Sequence, residues 1–195
     1  FLLNRCYGRD PETVARIGRA VAEGLMAGGV LPVMKHMPGH GLSQVDTHHD
    51  LPTVTASRDE LQAVDFAPFR ALADLPMAMT AHLVFAAIDP VRPATQSPEM
   101  IRVIRDEIGF RGLLMSDDLN MQALSGTLAE RTARTIAAGV DIALHCNGDM
   151  AEMVEVAGAA GTMGPQTRAR AAAALAARQS GQVDVKAALA ELAHG

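Results

Sequence analysis

Hydrophobic positions along this chain follow two alternating rhythms. Val14, Ile17, Val21 and Leu25 stand three or four residues apart, as do Ile101, Ile104 and Ile108, and each set predicts one apolar stripe along a helix. Between such stretches lie short continuous apolar runs: Val30 to Met34, Pro76 to Thr80, Gly112 to Met115 and Val140 to Leu144. Runs of this kind read as strands buried on both faces, although Pro32 weakens the middle of the first. The helices carry clear punctuation. Asp10, Pro11 and Glu12 supply a cap, a first-turn proline and an acid for the positive end of the dipole, and Gly28-Gly29 stops that helix. Ser97, Pro98 and Glu99 repeat the pattern, with Gly109 as the stop. Ser57 to Glu60 opens a further helical stretch whose apolar side is Phe66, Phe69 and Leu72. The segment through Asp89-Pro90 and Arg92-Pro93 reads as a long loop. Leu128 to Ala138 is an alanine-rich helix, and the chain from Met150 onward is mostly helical, with a weak apolar stripe from Arg168 to Arg178.

Helix and short buried strand therefore alternate, the pattern of right-handed βαβ units and a parallel sheet. No GxGxxG and no P-loop signals a nucleotide fold. The polar, titratable clusters follow the strands: Lys35 onward, Thr80 to His82, Ser116 to Asp118, and His145 to Asn147. Active sites of (β/α)8 barrels and of open α/β sheets lie at that end of the strands. Four strands cannot close an eight-stranded barrel. The chain reads either as a small open sheet or as the later part of a barrel whose first strands it does not contain, and its start at Phe1 fits the second.

Composition narrows the classes. Of 195 residues 49% are apolar, enough for a core and too many for a disordered chain. The net charge of −5, with the signs interspersed, argues against nucleic acid and anionic membrane as main partners. Cys6 and Cys146 are far apart and neither sits in a CxxC pair, which fits a reducing compartment. No apolar run is long enough to span a bilayer.

The densest chemistry lies between Lys35 and Pro52, KHMPGHGLSQVDTHHDLP, with four histidines, two aspartates and a lysine. Asp46 and His48, two residues apart, can form a dyad in which the carboxylate fixes the imidazole tautomer and supports its protonated form. The bland alternative is a solvated histidine beside a capping aspartate. Asp117 and Asp118 follow a buried strand, so one can face a cleft while the other points away. A carboxylate there can attack an anomeric carbon, or the pair can merely cap the next helix. Lys35 and His36, at a strand end, are candidate donors to a substrate. The eleven methionines read as core filler.

KHMPGHG followed by DTHHDLP closely resembles the signature of the bacterial β-N-acetylhexosaminidases of glycoside hydrolase family 3, the NagZ type. GFRGLLMSDDLNM resembles the nucleophile segment of the same family, in the right order, and NRCYGRDPETV and LHCN also look like family segments. The resemblance implies a (β/α)8 TIM-type barrel whose N-terminal strands this chain lacks, as one partial catalytic domain over 1–195 with a helical tail from about 165. It implies Asp117 as nucleophile, His48 as general acid/base, Asp46 as its dyad partner, and Arg5, Lys35 and His36 as sugar-binding residues. The implied reaction is hydrolysis, with retention through a glycosyl-aspartate, of β-linked N-acetylglucosamine on peptidoglycan fragments. It would take place in the cytoplasm during wall recycling, with no cofactor and no metal. Met37, Thr47 and His49 depart from the usual family residues without removing a catalytic group. An imidazole acid/base, neutral when it acts as base, would not repel an anionic acceptor, so phosphate can compete with water.

Two rivals stand beside this reading. His36, His40, His48, His49, Asp46 and Asp50 are enough ligands for a metal hydrolase, although HMPGH lies in a Gly/Pro loop and not on a helix. Alternatively, the chain is an inactive fragment whose open strand edges pair or aggregate.

Overall fold

A computed structural model describes residues 6–43, 51–179 and 184–192. In chain order its elements are α1 (Pro11–Ala27), β1 (Val33–Met37), β2 (Thr53–Val54), α2 (Arg58–Ala63), α3 (Phe66–Ala71), β3 (Met77–Thr80), β4 (Val84–Phe85) and β5 (Asp89–Pro93), then α4 (Pro98–Arg102), β6 (Leu113–Asp118), α5 (Leu128–Ala138), β7 (Ile142–Leu144), α6 (Met150–Ala160), α7 (Pro165–Ala176) and α8 (Val185–Leu192).

The main sheet runs β1-β3-β6-β7, every neighbouring pair parallel. Strands therefore lie side by side in chain order, as successive staves of a (β/α) barrel do. Their registers align one end: Met37 pairs with Thr80, and Asp118 with Leu144. The four polar clusters consequently come together at the C-terminal edge of one sheet.

The helix caps form as their residues require. Asp10 accepts the Thr13 N–H at 2.8 Å and Pro11 begins α1. Ser97 accepts the Met100 N–H at 3.1 Å. Thr127 and Glu130 make a reciprocal capping box, and α5 ends on Gly139 at φ 105°, a conformation that favours glycine. Beyond α4 the chain continues through a π-helical stretch, Val103–Glu107.

Four expectations need correction. First, the strand placed at Val30 to Met34 begins at Val33, because Pro32 has no N–H for a ladder. Lys35 and His36 thus lie within β1 and not beyond its end. Second, the helical stretch after Ser57 is two short helices. A continuous helix would drive the Pro68 ring into the Val64 carbonyl four residues earlier, and α2 ends at Ala63. Third, the loop through Asp89 contains β4 and β5, which with β2 make a small second sheet. It is held by Asp89, whose carboxylate accepts from the Val91 and Arg92 N–H groups, the Arg92 side chain and the Ser97 hydroxyl. Strands of two residues show no alternation, so periodicity misses them. Fourth, the α1 stripe is only half buried: Val21 and Leu25 remain 39% and 40% exposed. Among the described residues β1 is an edge strand, and the stripe faces a cleft beside it.

The core lies between the sheet and the helices that follow its strands. Phe66, Phe85, Phe110, Leu61, Ile104, Ile108 and Leu114 are fully buried, each contributing roughly 1.5–3 kcal/mol. Asp141, at the foot of β7, ties three elements together. Its Oδ2 accepts from Arg105 at 2.7 Å and from the Leu114 N–H at 3.0 Å. Its Oδ1 accepts from Thr167 at 3.1 Å and Arg170 at 2.8 Å, so α7 is pinned to the sheet.

Candidate active site

β6 delivers two adjacent carboxylates to the open end of the sheet, and the two are treated differently. The Asp118 side chain is engaged by the backbone, its Oδ1 accepting the N–H groups of Asn120 at 3.1 Å and Cys146 at 3.2 Å. Asp117 uses Oδ1 for the N–H of Asp118 at 2.9 Å and turns Oδ2 toward His36, whose Nε2 lies 3.5 Å away. Both side chains of that pair are about one-sixth exposed, so they are accessible yet shielded. Neither aspartate caps a helix; the next one, α5, is capped by Thr127.

Beneath the pair lies a buried hydrogen-bond chain. His82 Nε2 meets the Asp118 carbonyl at 3.0 Å and its Nδ1 meets the Thr95 hydroxyl at 2.8 Å. Thr95 Oγ1 also meets Thr80 Oγ1 at 2.8 Å and the Ala81 carbonyl at 3.0 Å. Burial lowers the basicity of His82, against a partial rise from the Asp118 carbonyl and the Asp117 and Asp118 charges. A neutral ring facing a carbonyl through Nε2 must carry its hydrogen there. Nδ1 is then an acceptor, Thr80 donates to Thr95, and the one hydrogen of Thr95 serves both Nδ1 and the Ala81 carbonyl. The tautomer of His82, and with it the carbonyl following Asp117, is thereby held. Ser116, fully buried, accepts the Leu144 N–H at 2.9 Å and locks β6 to β7 just before the aspartates.

On β1, the peptide bonds Lys35–His36 and Met37–Pro38 are cis. The His36 and His40 rings meet edge to face, with centroids 5.8 Å apart. Lys35 and His36 line a cleft of about 490 Å³ between β1, α1 and α3, but Asp117 does not. His36 stands between that cleft and the nucleophile candidate. The exposed thiol of Cys146 is pushed up by burial and by the Asp118 and Asp117 charges, and drawn down by Lys35. Lys35 and both aspartates therefore act on one space beyond the strand ends. Behind it, the buried His145 ring lies 3.2 Å from Glu152, in contact without hydrogen-bond geometry, while Asn120 donates to the same carboxylate oxygen at 3.2 Å.

Residues 3–177 match the N-terminal domain of glycosyl hydrolase family 3. The chain belongs to this family. It is 42% identical over 149 residues to a beta-hexosaminidase of Neisseria gonorrhoeae, an alignment covering 74% of this chain and 41% of that protein. Among solved structures it resembles a family 3 β-N-acetylglucosaminidase from Paenibacillus (TM-score 0.81, 30% identity, 93% of this chain and 38% of that one). It also resembles the Neisseria gonorrhoeae NagZ in complex with N-trifluoroacetyl-D-glucosamine (TM-score 0.80, 34% identity, 96% and 54%). The chain thus spans about two-fifths of the length of the curated relative, and its parallel sheet is the family's TIM-barrel type.

Family membership gives the strand-end geometry its context. Of the residues expected to act, Asp117, Lys35 and His36 fall together at the sheet's C-terminal edge. Arg5, Asp46 and His48 lie outside the described residues. Among the described residues no three His, Cys, Asp or Glu side chains are placed to hold a metal, and no helix is long and apolar enough to cross a membrane. The supporting role of Thr95 had no signal of its own in the sequence, because a hydroxyl acquires such a role only from what the fold sets beside it. His82 had a weak one, a polar residue at a strand end.

Proposed function

We propose that this chain is part of the catalytic barrel of a retaining β-N-acetylhexosaminidase, removing β-linked N-acetylglucosamine from peptidoglycan fragments of the N-acetylglucosamine–anhydro-N-acetylmuramic acid type. Asp117 attacks the anomeric carbon and forms a glycosyl-aspartate. His48, oriented by Asp46, protonates the leaving oxygen and then takes a proton from water. Arg5, Lys35 and His36 hold the sugar. Cytoplasmic wall recycling is the setting that this substrate fits.

The observation that carries the reading is the arrangement of Asp117. It stands at the C-terminal end of a central barrel-type strand, with one oxygen turned away from the backbone toward His36. In a family 3 chain that is where a nucleophile is wanted. The ligand named in the related NagZ complex is an N-acyl glucosamine, which supports the choice of sugar. Near neutral pH an imidazole can both give and accept a proton, so His48 suits the acid/base task.

A chromogenic β-N-acetylglucosaminide assay tests the assignment. Asp117→Ala should remove turnover, and a glycosyl adduct on Asp117 should be detectable by mass spectrometry. His48→Ala should lose less with an activated leaving group, which needs little protonation. Turnover that survives Asp117→Ala but not Asp118→Ala would sink the nucleophile assignment. Loss of activity on exhaustive chelation would favour the metal-dependent alternative.

A further inference from the structure

Asp65, between α2 and α3, has no part in the chemistry above, yet it lies against the start of the histidine-rich segment. It is 5% exposed. It stands just before the first residue of α3 but makes no capping bond to that helix. Its carboxylate instead lies against the turn at Gly41 and Leu42, whose amides draw its pKa down, while Oδ2 makes no hydrogen bond among the described residues. The approach is close. A Cβ on Gly39 would lie 2.5 Å from the Asp65 Cβ, and one on Gly41 would lie 3.0 Å from Oδ1. Gly39 and Gly41 are therefore glycines because the chain has to pass directly over this carboxylate.

A buried carboxylate that makes no bond to its own helix and packs directly under a neighbouring turn serves that turn. In sequence, residues 44–50, which include Asp46 and His48, follow it immediately. We propose that Asp65 is a positioning residue: packed under Gly39 and Gly41, it fixes the turn from which the chain runs on to His48. This rests on the assignment of His48 as acid/base.

The surroundings make the carboxylate's charge readable. Burial pushes Asp65 up to about 6; the Leu42 and Gly41 amides draw it down and the Glu60 charge on α2 adds to the rise. The other ionisable groups around the same cleft are Cys6, Tyr7, Arg9 and Asp10 before and at the start of α1, Lys35 and His36 on β1, and His40 on the turn itself. Those of residues 44–50 lie outside the described residues.

The test uses the whole chain, with Asp65→Ala and Asp65→Asn, and two readouts. In amide NMR the Gly41 and Leu42 proton shifts should titrate with a midpoint near 6 in the wild type and stay flat in Asp65→Asn, which keeps an acceptor without the charge. In the chromogenic assay Asp65→Ala should lower kcat about tenfold, the order expected when a hydrogen bond to a charged group is lost, with KM changed less than about threefold. Asp65→Asn should recover most of kcat. Amide shifts that ignore pH near 6 in the wild type overturn the proposal, as does a kcat in Asp65→Ala equal to wild type, or an Asp65→Asn variant as impaired as Asp65→Ala. If the wild type itself has no hexosaminidase activity, the proposed function fails, and the amide titration still decides whether Asp65 anchors the turn.

Discussion

The two halves of the candidate site are held in different ways. The nucleophile side rests on β6, which has a bonded strand on each side, β3 and β7. Three groups around Asp117 have partners from this frame: Ser116 accepts the Leu144 amide, Asp118 accepts two amides, and His82 donates to the Asp118 carbonyl. The residues proposed as acid/base follow β1 in the chain, and β1 is an edge strand among the described residues, paired there only with β3. The buried carboxylate of Asp65 packs against the turn that leaves it. A nucleophile must be kept within a fraction of an ångström of the reacting carbon, and a central strand does that. A group that gives a proton at one step and takes one at the next is served by a segment anchored at its root.

This contrast can be broken or sharpened experimentally. The largest effect belongs to Asp117→Ala, which should cost on the order of 10⁴-fold or more in kcat with little change in thermal stability. Asp118→Ala should do the reverse, orphaning two amides and lowering Tm. Steady-state kinetics and melting of the pair decide it, and a reversed pattern means the strand presents the other carboxylate.

Next is a buried bond on the rigid side. Ser116→Ala leaves the Leu144 amide without its partner and should destabilise by about 1–3 kcal/mol in denaturant unfolding. A change below that range would mean β6 and β7 do not depend on this bond.

The third effect distinguishes the two sides by pH. Asp65 has a folded-state pKa of about 6, raised above its ordinary 3.8. A carboxyl raised on folding contributes stability that is present below its unfolded value and lost as pH rises through the folded value. Its share should fall between about pH 4 and 6, by no more than ~3 kcal/mol. Asp65→Asn should flatten that part of the stability curve and be the more stable protein at pH 7.5. Parallel curves for the two proteins would refute the burial argument.

The smallest effect concerns the rim. Glu152 is a third exposed beside His145, and Glu152→Gln should change stability by less than ~1 kcal/mol. A larger loss would mean that the Glu152 carboxylate does more than accept from Asn120.

Much of this was legible before any fold was known. Helix α5 was bounded residue for residue from its alanine-rich run, which has high local helix propensity. β3 was placed to within one residue, because a short apolar run has few other uses. The polar clusters were correctly put at one end of a parallel sheet, since chain direction alone fixes which end follows each strand. The boundary of β1 was missed because Pro32 counted only as a weak point in a run, when it is the reason the run starts late. β2 and β4 were missed because two residues cannot show alternation, and β5 because its two prolines read as loop.

From its residues alone the chain determined its alternation of helix and strand, its helix caps, and the identity of the groups able to do chemistry. Those follow from local propensities and from side-chain chemistry, which need no partner. Tertiary structure decided which of two adjacent aspartates is engaged by the backbone and which is turned toward His36. It also decided that His82 and Thr95 support the strand that carries Asp117, and that Asp65 makes no bond to its own helix and packs against a turn more than twenty residues earlier in the chain. Each of these is a contact between distant segments, and a buried polar group takes its role from the partner that the fold brings within hydrogen-bonding distance.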